Sequence, residues 1–264
     1  MGVPARIGPA ITITSATLLV SCGGSGSSCG SYGSYGSYGS YGSCGAVLLP
    51  GPDGIYQGSA TSAASPQGTP VVAIISENGE GRISTADGSY YRLTVGTSGN
   101  NLDGSYRGYS QSIGAGNAAP PAAGTVSGTI TSTGLNLTLT DMMSVQQSLT
   151  LTFDDAYNRT SSLTAVAGNW TATVNGLTLT ATIQPEGTFT ASDSNNCTYS
   201  GAFSLVDPTF DVYAETHVRS CNGSAVTFTG LAAVLQTNSN SGTATELKLL
   251  TDNSGGEYLV ADFQ

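Results

Sequence analysis

The chain has 264 residues and a net charge of −10 from 7 basic and 17 acidic residues, and only 9 % of its residues are charged, against about 25 % in an average soluble domain. Its only lysine is Lys248. Without a basic patch the chain has nothing with which to displace counterions from nucleic acid, or to attract an anionic membrane surface. We therefore exclude nucleic acid as a partner. The length allows one large all-β domain or two small ones.

Residues 1–21 are predicted to be an export signal. Arg6 supplies its positive charge, and an apolar stretch from Ala10 to Val20 follows, which is shorter than the roughly 20 residues of a membrane-spanning helix. The stretch ends in Leu19-Val20-Ser21-Cys22, which resembles the bacterial lipobox. The resemblance implies that Cys22 becomes the mature N-terminus and carries lipid, palmitate included. The alternative is an ordinary signal peptide followed by an incidental cysteine.

The residue after Cys22 bears on the membrane that the protein reaches. In enterobacterial lipoproteins, which the segment resembles, an aspartate at this position favours retention in the inner membrane. Gly23 stands there instead, so the resemblance implies a cell-envelope protein of the outer membrane, facing the periplasm or the surface. Several acyl chains, at about 0.8 kcal/mol per buried CH₂, make a stable anchor without protein insertion.

Residues 22–50 are predicted to be a flexible tether. The triplet Gly-Ser-Tyr occurs four times from Gly30 to Tyr41, between Cys29 and Cys44. Residues 23–45 contain no aliphatic side chain that could build a core, and a Gly/Ser chain of this length spans about 30 Å on average. The favoured interpretation is a plain spacer, and the alternative is a spacer whose tyrosines stack on envelope glycans. Cys29 and Cys44 are able to pair in an oxidising compartment, but nothing fixes their geometry.

From residue 51 the pattern is that of β-strands throughout. Aliphatic residues alternate with threonine, which is typical of a sheet with one buried and one wet face. The alternation is clearest at Leu135–Leu139, Leu149–Phe153 and Leu177–Ile183. Turn signals such as Asn175-Gly176 and Asp207-Pro208 separate the runs. We predict an all-β antiparallel meander of about 14–16 strands that forms one or two small β-barrels.

The folded part divides into two halves that look alike, residues 51–165 and 166–264, although one continuous domain 51–264 is the alternative. Each half opens with glycine, any residue and an aromatic residue, at Gly54–Tyr56 and Gly168–Trp170. Each continues with an aliphatic strand and the pair Glu-Gly, at residues 80–81 and 186–187.

Two resemblances concern the second half. Gly168-Asn169-Trp170 is similar to the opening of lipocalin- and avidin-like barrels, where the aromatic ring plugs one end; an aromatic residue in a strand core is the alternative. The stretch from Gly168 onward also resembles a recurrent β module of bacterial envelope lipoproteins, and that likeness implies a location rather than an activity. Its residues are Gly168-x-Trp170, Glu186–Phe189, Cys197–Gly201, Val212-Tyr213 and Cys221.

Cys197 and Cys221 are predicted to form a disulfide. Each lies twelve residues from Thr209, at the centre of a turn region. In a symmetrical hairpin the two thiols therefore face each other across adjacent strands. The same register pairs Tyr199 with Arg219 and Phe203 with Glu215. Because this places apolar and polar residues on one face, we expect a bulge that shifts one strand; a mixed face around a ligand cavity is the alternative.

Chemically reactive residues are scarce. His217 is the only histidine, which excludes a metal site with two histidines, and we predict no metal, no cofactor and no catalytic residue. On its strand, Asp211, Tyr213, Glu215, His217 and Arg219 share one face. The favoured interpretation of this stripe is a solvated outer face with weak charge pairing. The alternative is the lining of a ligand-holding barrel, with Tyr199, Tyr213, Glu215, His217 and Arg219 facing the ligand.

The sequence leaves three functions open. The first is an anchored binding module for a ligand, a glycan or a protein partner, and the second is a structural or assembly lipoprotein of the outer membrane. A hydrolytic enzyme is the least favoured, and we predict that the protein is not an enzyme. An aromatic-walled cavity of several hundred Å³ would favour the first function. A filled core with an exposed apolar patch would favour the second.

Overall fold

The computed structural model describes residues 51–113, 119–239 and 242–264. The predicted signal and the predicted tether lie outside these residues, and so do Cys22, Cys29 and Cys44. Within them the chain is an antiparallel all-β meander, as predicted, with seventeen strands where about 14–16 were expected. The only helical pieces in the described ranges are a 3₁₀ turn at Asp155–Asn158 and a four-residue helix, α1, at Leu163–Val166.

Eight strands form a closed first barrel. Strand β1 pairs with both β2 and β9, which closes the sheet. Alternation explains the interior, because every second residue of a strand points inward: Leu135, Leu137 and Leu139 are all buried there. The strands are β1 Gly54–Ser62, β2 Thr69–Ile75, β3 Glu80–Thr85, β4 Tyr90–Ser98, β5 Asn101–Tyr109, β7 Ala122–Ile130, β8 Gly134–Asp141 and β9 Gln146–Phe153.

Eight further strands form a second barrel that is nearly closed. Its first and last strands meet where Thr171 and Gln264 exchange two backbone hydrogen bonds of 3.0 and 2.9 Å. The short strand β6, Gln111–Ser112, joins the edge of this sheet by a parallel pairing with β17. The strands are β10 Gly168–Val174, β11 Leu177–Ile183, β12 Thr188–Asp193, β13 Thr198–Leu205, β14 Tyr213–Cys221, β15 Ser224–Ser239, β16 Gly242–Asp252 and β17 Glu257–Phe263.

The two barrels repeat one another in detail. In the β2–β3 turn, the Gly79 carbonyl accepts a hydrogen bond from the Val95 N–H, and in the β11–β12 turn the Gly187 carbonyl accepts one from Phe203. Both glycines have positive φ, +77° and +88°, which favours glycine. Gly187 therefore corresponds to Gly79. The sequence pattern had instead paired residues 186–187 with 80–81, a match that is displaced by two residues.

The barrels contact each other through their outer walls and belong to one compact unit. An apolar cluster fills this interface, with members from both barrels that include Ile55, Ile74, Leu231 and Leu250. The outward residues of the facing strands are therefore buried as well. This explains why the sequence of strand β2 is nearly all apolar and does not alternate between apolar and polar residues.

Candidate functional site

The polar stripe of strand β14 faces the interior of the second barrel. Glu215 and His217 are each only 2 % exposed, and Tyr213 is fully buried. The predicted solvated outer face is therefore wrong. Alternation shows that a strand has two different faces, but it does not show which one points inward, and here the polar face does.

The predicted hairpin register is correct, and the predicted bulge is not. Tyr199 pairs with Arg219 and Phe203 with Glu215, in a ladder that runs without interruption from Thr198–Ser220 to Leu205–Tyr213. The predicted disulfide between Cys197 and Cys221 is also present, with a Cα–Cα distance of 4.6 Å. Because no bulge shifts either strand, the interior of this barrel is mixed, with aromatic and ionisable residues side by side.

Glu215 and His217 form an isolated pair in that interior. Glu215 Oε1 lies 2.9 Å from His217 Nδ1, and the imidazole stacks on Phe228 with ring centres 4.9 Å apart. The remaining polar atoms, Glu215 Oε2 and His217 Nε2, are buried without a hydrogen-bond partner. Burial raises the pKa of Glu215, while the hydrogen bond and the charge of His217 oppose that rise.

Two glycines make room for this pair. Gly201 lies opposite His217, and a Cβ atom there would come within 2.7 Å of the His217 backbone and Cβ. Gly230 lies between Glu215 and Thr251 in the same row of the sheet. Thr251 is fully buried, and its hydroxyl oxygen also has no partner. The interior thus collects three unsatisfied polar atoms, a feature that folded proteins ordinarily avoid.

A small cavity lies beside the His217 ring. Its volume of about 20 Å³ is room for about one water molecule. Apart from His217 its walls are formed by aliphatic and aromatic side chains. They include Trp170, Phe189, Tyr199, Phe203 and Phe263. The second barrel is therefore nearly filled and lacks the ligand-sized space that an enclosed ligand requires.

Paired charges lie beyond His217, toward the disulfide. Arg219 donates to Glu257 Oε1 at 3.0 Å, and its guanidinium lies 5.4 Å from the Phe228 ring centre. The Tyr199 hydroxyl donates to Asp193 at 2.8 Å, and burial raises the pKa of Tyr199. Asp211 precedes the strand and accepts a 2.7 Å hydrogen bond from Arg159, so it does not share the site of Glu215.

Trp170 lies near the other end of the second barrel. Its indole N–H donates to the Val166 carbonyl of α1 at 2.8 Å, and its ring packs against the core. Tyr56 takes the matching place in the first barrel, fully buried beside Phe153. Both aromatic residues of the two Gly-x-aromatic openings therefore pack against a barrel core.

The β8–β9 turn presents an apolar tip, which we define as Met142, Met143 and Val145. Their exposed fractions are 86, 84 and 60 %. The backbone of this tip is held firmly, because Asp141 Oδ1 accepts hydrogen bonds from the N–H groups of Met143 and Val145, both at 2.8 Å. Asp141 thus stabilises the turn. The tip was not predicted from the sequence, although two methionines stand there between alternating strands.

A buried ion pair joins the two barrels. Arg82 Nε lies 2.8 Å from Asp252 Oδ2, and both side chains are 1 % exposed. The hydroxyls of Tyr90 and Tyr109 donate to the same carboxylate at 3.0 and 2.7 Å. This pair was not predicted, because it joins residues 170 positions apart through the outer faces of two different barrels.

No helix of the described residues is long and apolar enough to cross a membrane, and no cluster of three or more potential metal ligands occurs in those ranges. Comparisons of the chain with protein-family models, with curated proteins and with solved structures found no match. No relative therefore supplies a function for the Glu215–His217 pair or for the apolar tip.

Proposed function

We propose that this protein is a lipid-anchored protein of the bacterial cell envelope that binds a protein partner by contact. In this proposal residues 1–21 are removed, lipid on Cys22 holds the chain at the outer membrane, and residues 22–50 tether the two barrels. The lipobox-like segment and the oxidised Cys197–Cys221 pair support an export route, because disulfides persist in oxidising compartments such as the periplasm.

The observation that carries the contact function is the apolar tip. The other large exposed apolar side chain in the described ranges is Leu205, at 37 %. The matching β16–β17 turn of the second barrel is polar, with the sequence Asn253-Ser254-Gly255-Gly256. Burial of a side chain such as methionine or valine contributes roughly 1.5–3 kcal/mol. The tip therefore offers binding energy that the fold itself leaves unused.

The composition of the tip supports a protein partner. It is a hairpin end whose backbone is hydrogen-bonded to Asp141, and methionine is enriched in protein–protein interfaces. The closed first barrel and the nearly filled second barrel do not support an enclosed ligand. The proposal therefore places binding on the outside of the barrels, and it includes no catalytic step.

Site-specific photo-crosslinking in living cells tests this function. A photoreactive residue at position 143 is expected to give a discrete protein adduct. The same residue at Ser132, in the polar β7–β8 turn, is the matched control and is expected to give none. Met142→Ser with Met143→Ser should abolish the adduct formed from position 145. Equal labelling from positions 143 and 132, or adducts with lipid alone, would contradict the proposal.

A further inference from the structure

The first barrel shows what the second would contain if packing alone decided its interior. The matching hydrogen bonds of Val95 and Phe203 make these two residues equivalent. In the first barrel Val95 pairs with Gly104, whereas in the second Phe203 pairs with Glu215. Glu215 thus stands where the first barrel has Gly104.

The equivalence of the two barrels extends to the next inward-facing residues, two positions along each strand. Leu93 pairs with Tyr106 in the first barrel, and Gly201 pairs with His217 in the second. The first barrel closes around its aliphatic and tyrosine core. The architecture therefore needs neither the carboxyl group nor the imidazole, although burying them leaves polar atoms unpaired, which is unfavourable.

We propose that Glu215 and His217 form a proton-binding site that couples the stability of the second barrel to the acidity of its surroundings. In this site the pair holds one shared proton, and the folded barrel resists both the loss of that proton and the gain of a second. The inference goes beyond the contact function and does not depend on the lipid anchor or on the apolar tip.

The net charge of the Glu215–His217 pair decides how well the apolar interior tolerates it. With one proton the pair is neutral overall, whichever residue carries it. Without a proton it carries −1, and with two protons +1, and an uncompensated buried charge is strongly unfavourable. Since the two side chains are 2 % exposed, bulk water does not reach either charged state.

The surrounding strands supply no compensating charge. On β14 itself, Arg219 is neutralised by Glu257 of β17, and Tyr213 donates to the Ser162 carbonyl. On β13 the Tyr199 hydroxyl is committed to Asp193 of β12. The remaining neighbours carry no ionisable group. They are Phe189 of β12, Phe203 of β13, Phe228 and Gly230 of β15, Leu249 and Thr251 of β16, and Leu259 and Phe263 of β17.

The pH window follows from ordinary pKa values, about 4.3 for glutamate and 6.5 for histidine in an unfolded chain. Above about pH 6.5 the unfolded pair has released its last proton while the folded pair still holds one, so stability falls as the pH rises. Below about pH 4.3 the unfolded pair holds two protons and the folded pair one, so stability falls as the pH decreases. The raised pKa of Glu215 favours retention of the proton by the folded pair as the pH rises.

Thermal unfolding of Glu215→Gln tests the proposal through a reversal of sign. In this variant His217 is buried neutral but protonates when unfolded, so acidification from pH 8 to pH 5.5 should lower its melting temperature relative to wild type. In the wild type, each pH unit above about 6.5 should lower the melting temperature by up to about 3–5 °C through this pair. Other titrating groups, such as Asp211, are present in both proteins. Their contributions therefore cancel in the difference between the two melting temperatures. Glu186→Gln, an exposed change in the same barrel, should follow the wild type.

Nuclear magnetic resonance of the wild type supplies an independent measurement. Because His217 is the only histidine, labelling with ¹⁵N-histidine gives a single imidazole. We expect its protonation pattern to stay constant through pH 6.5 in the folded protein, and this readout survives even if Glu215→Gln fails to fold. A midpoint near 6.5, as in a hydrated histidine, would overturn the proposal, as would equal pH slopes of the wild type and Glu215→Gln.

Discussion

At the scale of single residues, the described molecule concentrates its costly interactions in two places. One is the Glu215–His217 pair inside the second barrel, and the other is the Arg82–Asp252 pair between the barrels. Both are ionisable pairs with almost no exposure. They differ in their surroundings, because Asp252 accepts hydrogen bonds from two tyrosines whereas one oxygen of Glu215 has no partner. The first arrangement suits a structural role, and the second suits a pair that holds a single proton in the folded barrel.

Arg82→Met is expected to destabilise the protein by about 3–5 kcal/mol, because it leaves the Asp252 carboxylate buried without its closest cation. Urea unfolding at neutral pH measures the change. Arg107→Met, which removes an exposed arginine of the same barrel, is the control and should stay within about 0.5 kcal/mol of wild type. Arg92 Nη1 also lies 3.5 Å from Asp252 Oδ1. A loss below about 1 kcal/mol for Arg82→Met would show that Arg92 and the tyrosines hold the carboxylate unaided.

At the scale of elements, alternation and turn residues were enough to predict the strands, and the symmetry of two cysteines about Thr209 was enough to predict one register. The orientation of β14 was not predictable in this way. Its face with Glu215 and His217 is buried inside the barrel, whereas its other face carries the half-buried Ala214 and Val218 and the exposed Thr216. Ionisable residues inside and apolar residues outside invert the ordinary pattern, and only the tertiary arrangement shows which face points inward.

Removal of the disulfide by Cys197→Ala with Cys221→Ala should destabilise the hairpin of β13 and β14. The bond closes a loop with a sequence separation of 24, and the chain-entropy model assigns such a loop roughly 3–4 kcal/mol. Denaturant unfolding measures the loss. In the folded, unreduced wild type, alkylation with peptide mapping should leave both thiols unmodified, and ready modification of both would contradict the bond.

At the scale of the whole molecule, the two barrels share a buried apolar interface and an ion pair, so they form one body rather than two loosely joined ones. The sequence predicted the two halves and the likeness between them, but not the interface, because a continuous apolar run such as that of β2 does not show which element covers its outer face. In the proposed contact function, this single body of two barrels carries the apolar tip.

A chain shortened to begin at Ala46 is expected to keep its stability within about 1 kcal/mol, since Gly, Ser and Tyr repeats bury little apolar surface. Urea unfolding of the shortened and full chains gives the comparison. A larger loss would show that residues of the predicted tether pack on the barrels, and the spacer interpretation would then be wrong.

The central claim, an anchored body at the cell envelope, is tested most directly by the intact mass of the protein extracted from membranes. We expect a mass that lacks residues 1–21 and includes acyl groups on Cys22, and we expect a Cys22→Ala protein to leave the membrane fraction. An unmodified Cys22 in the membrane-extracted protein, or a Cys22→Ala protein that stays fully membrane-bound, would contradict the claim.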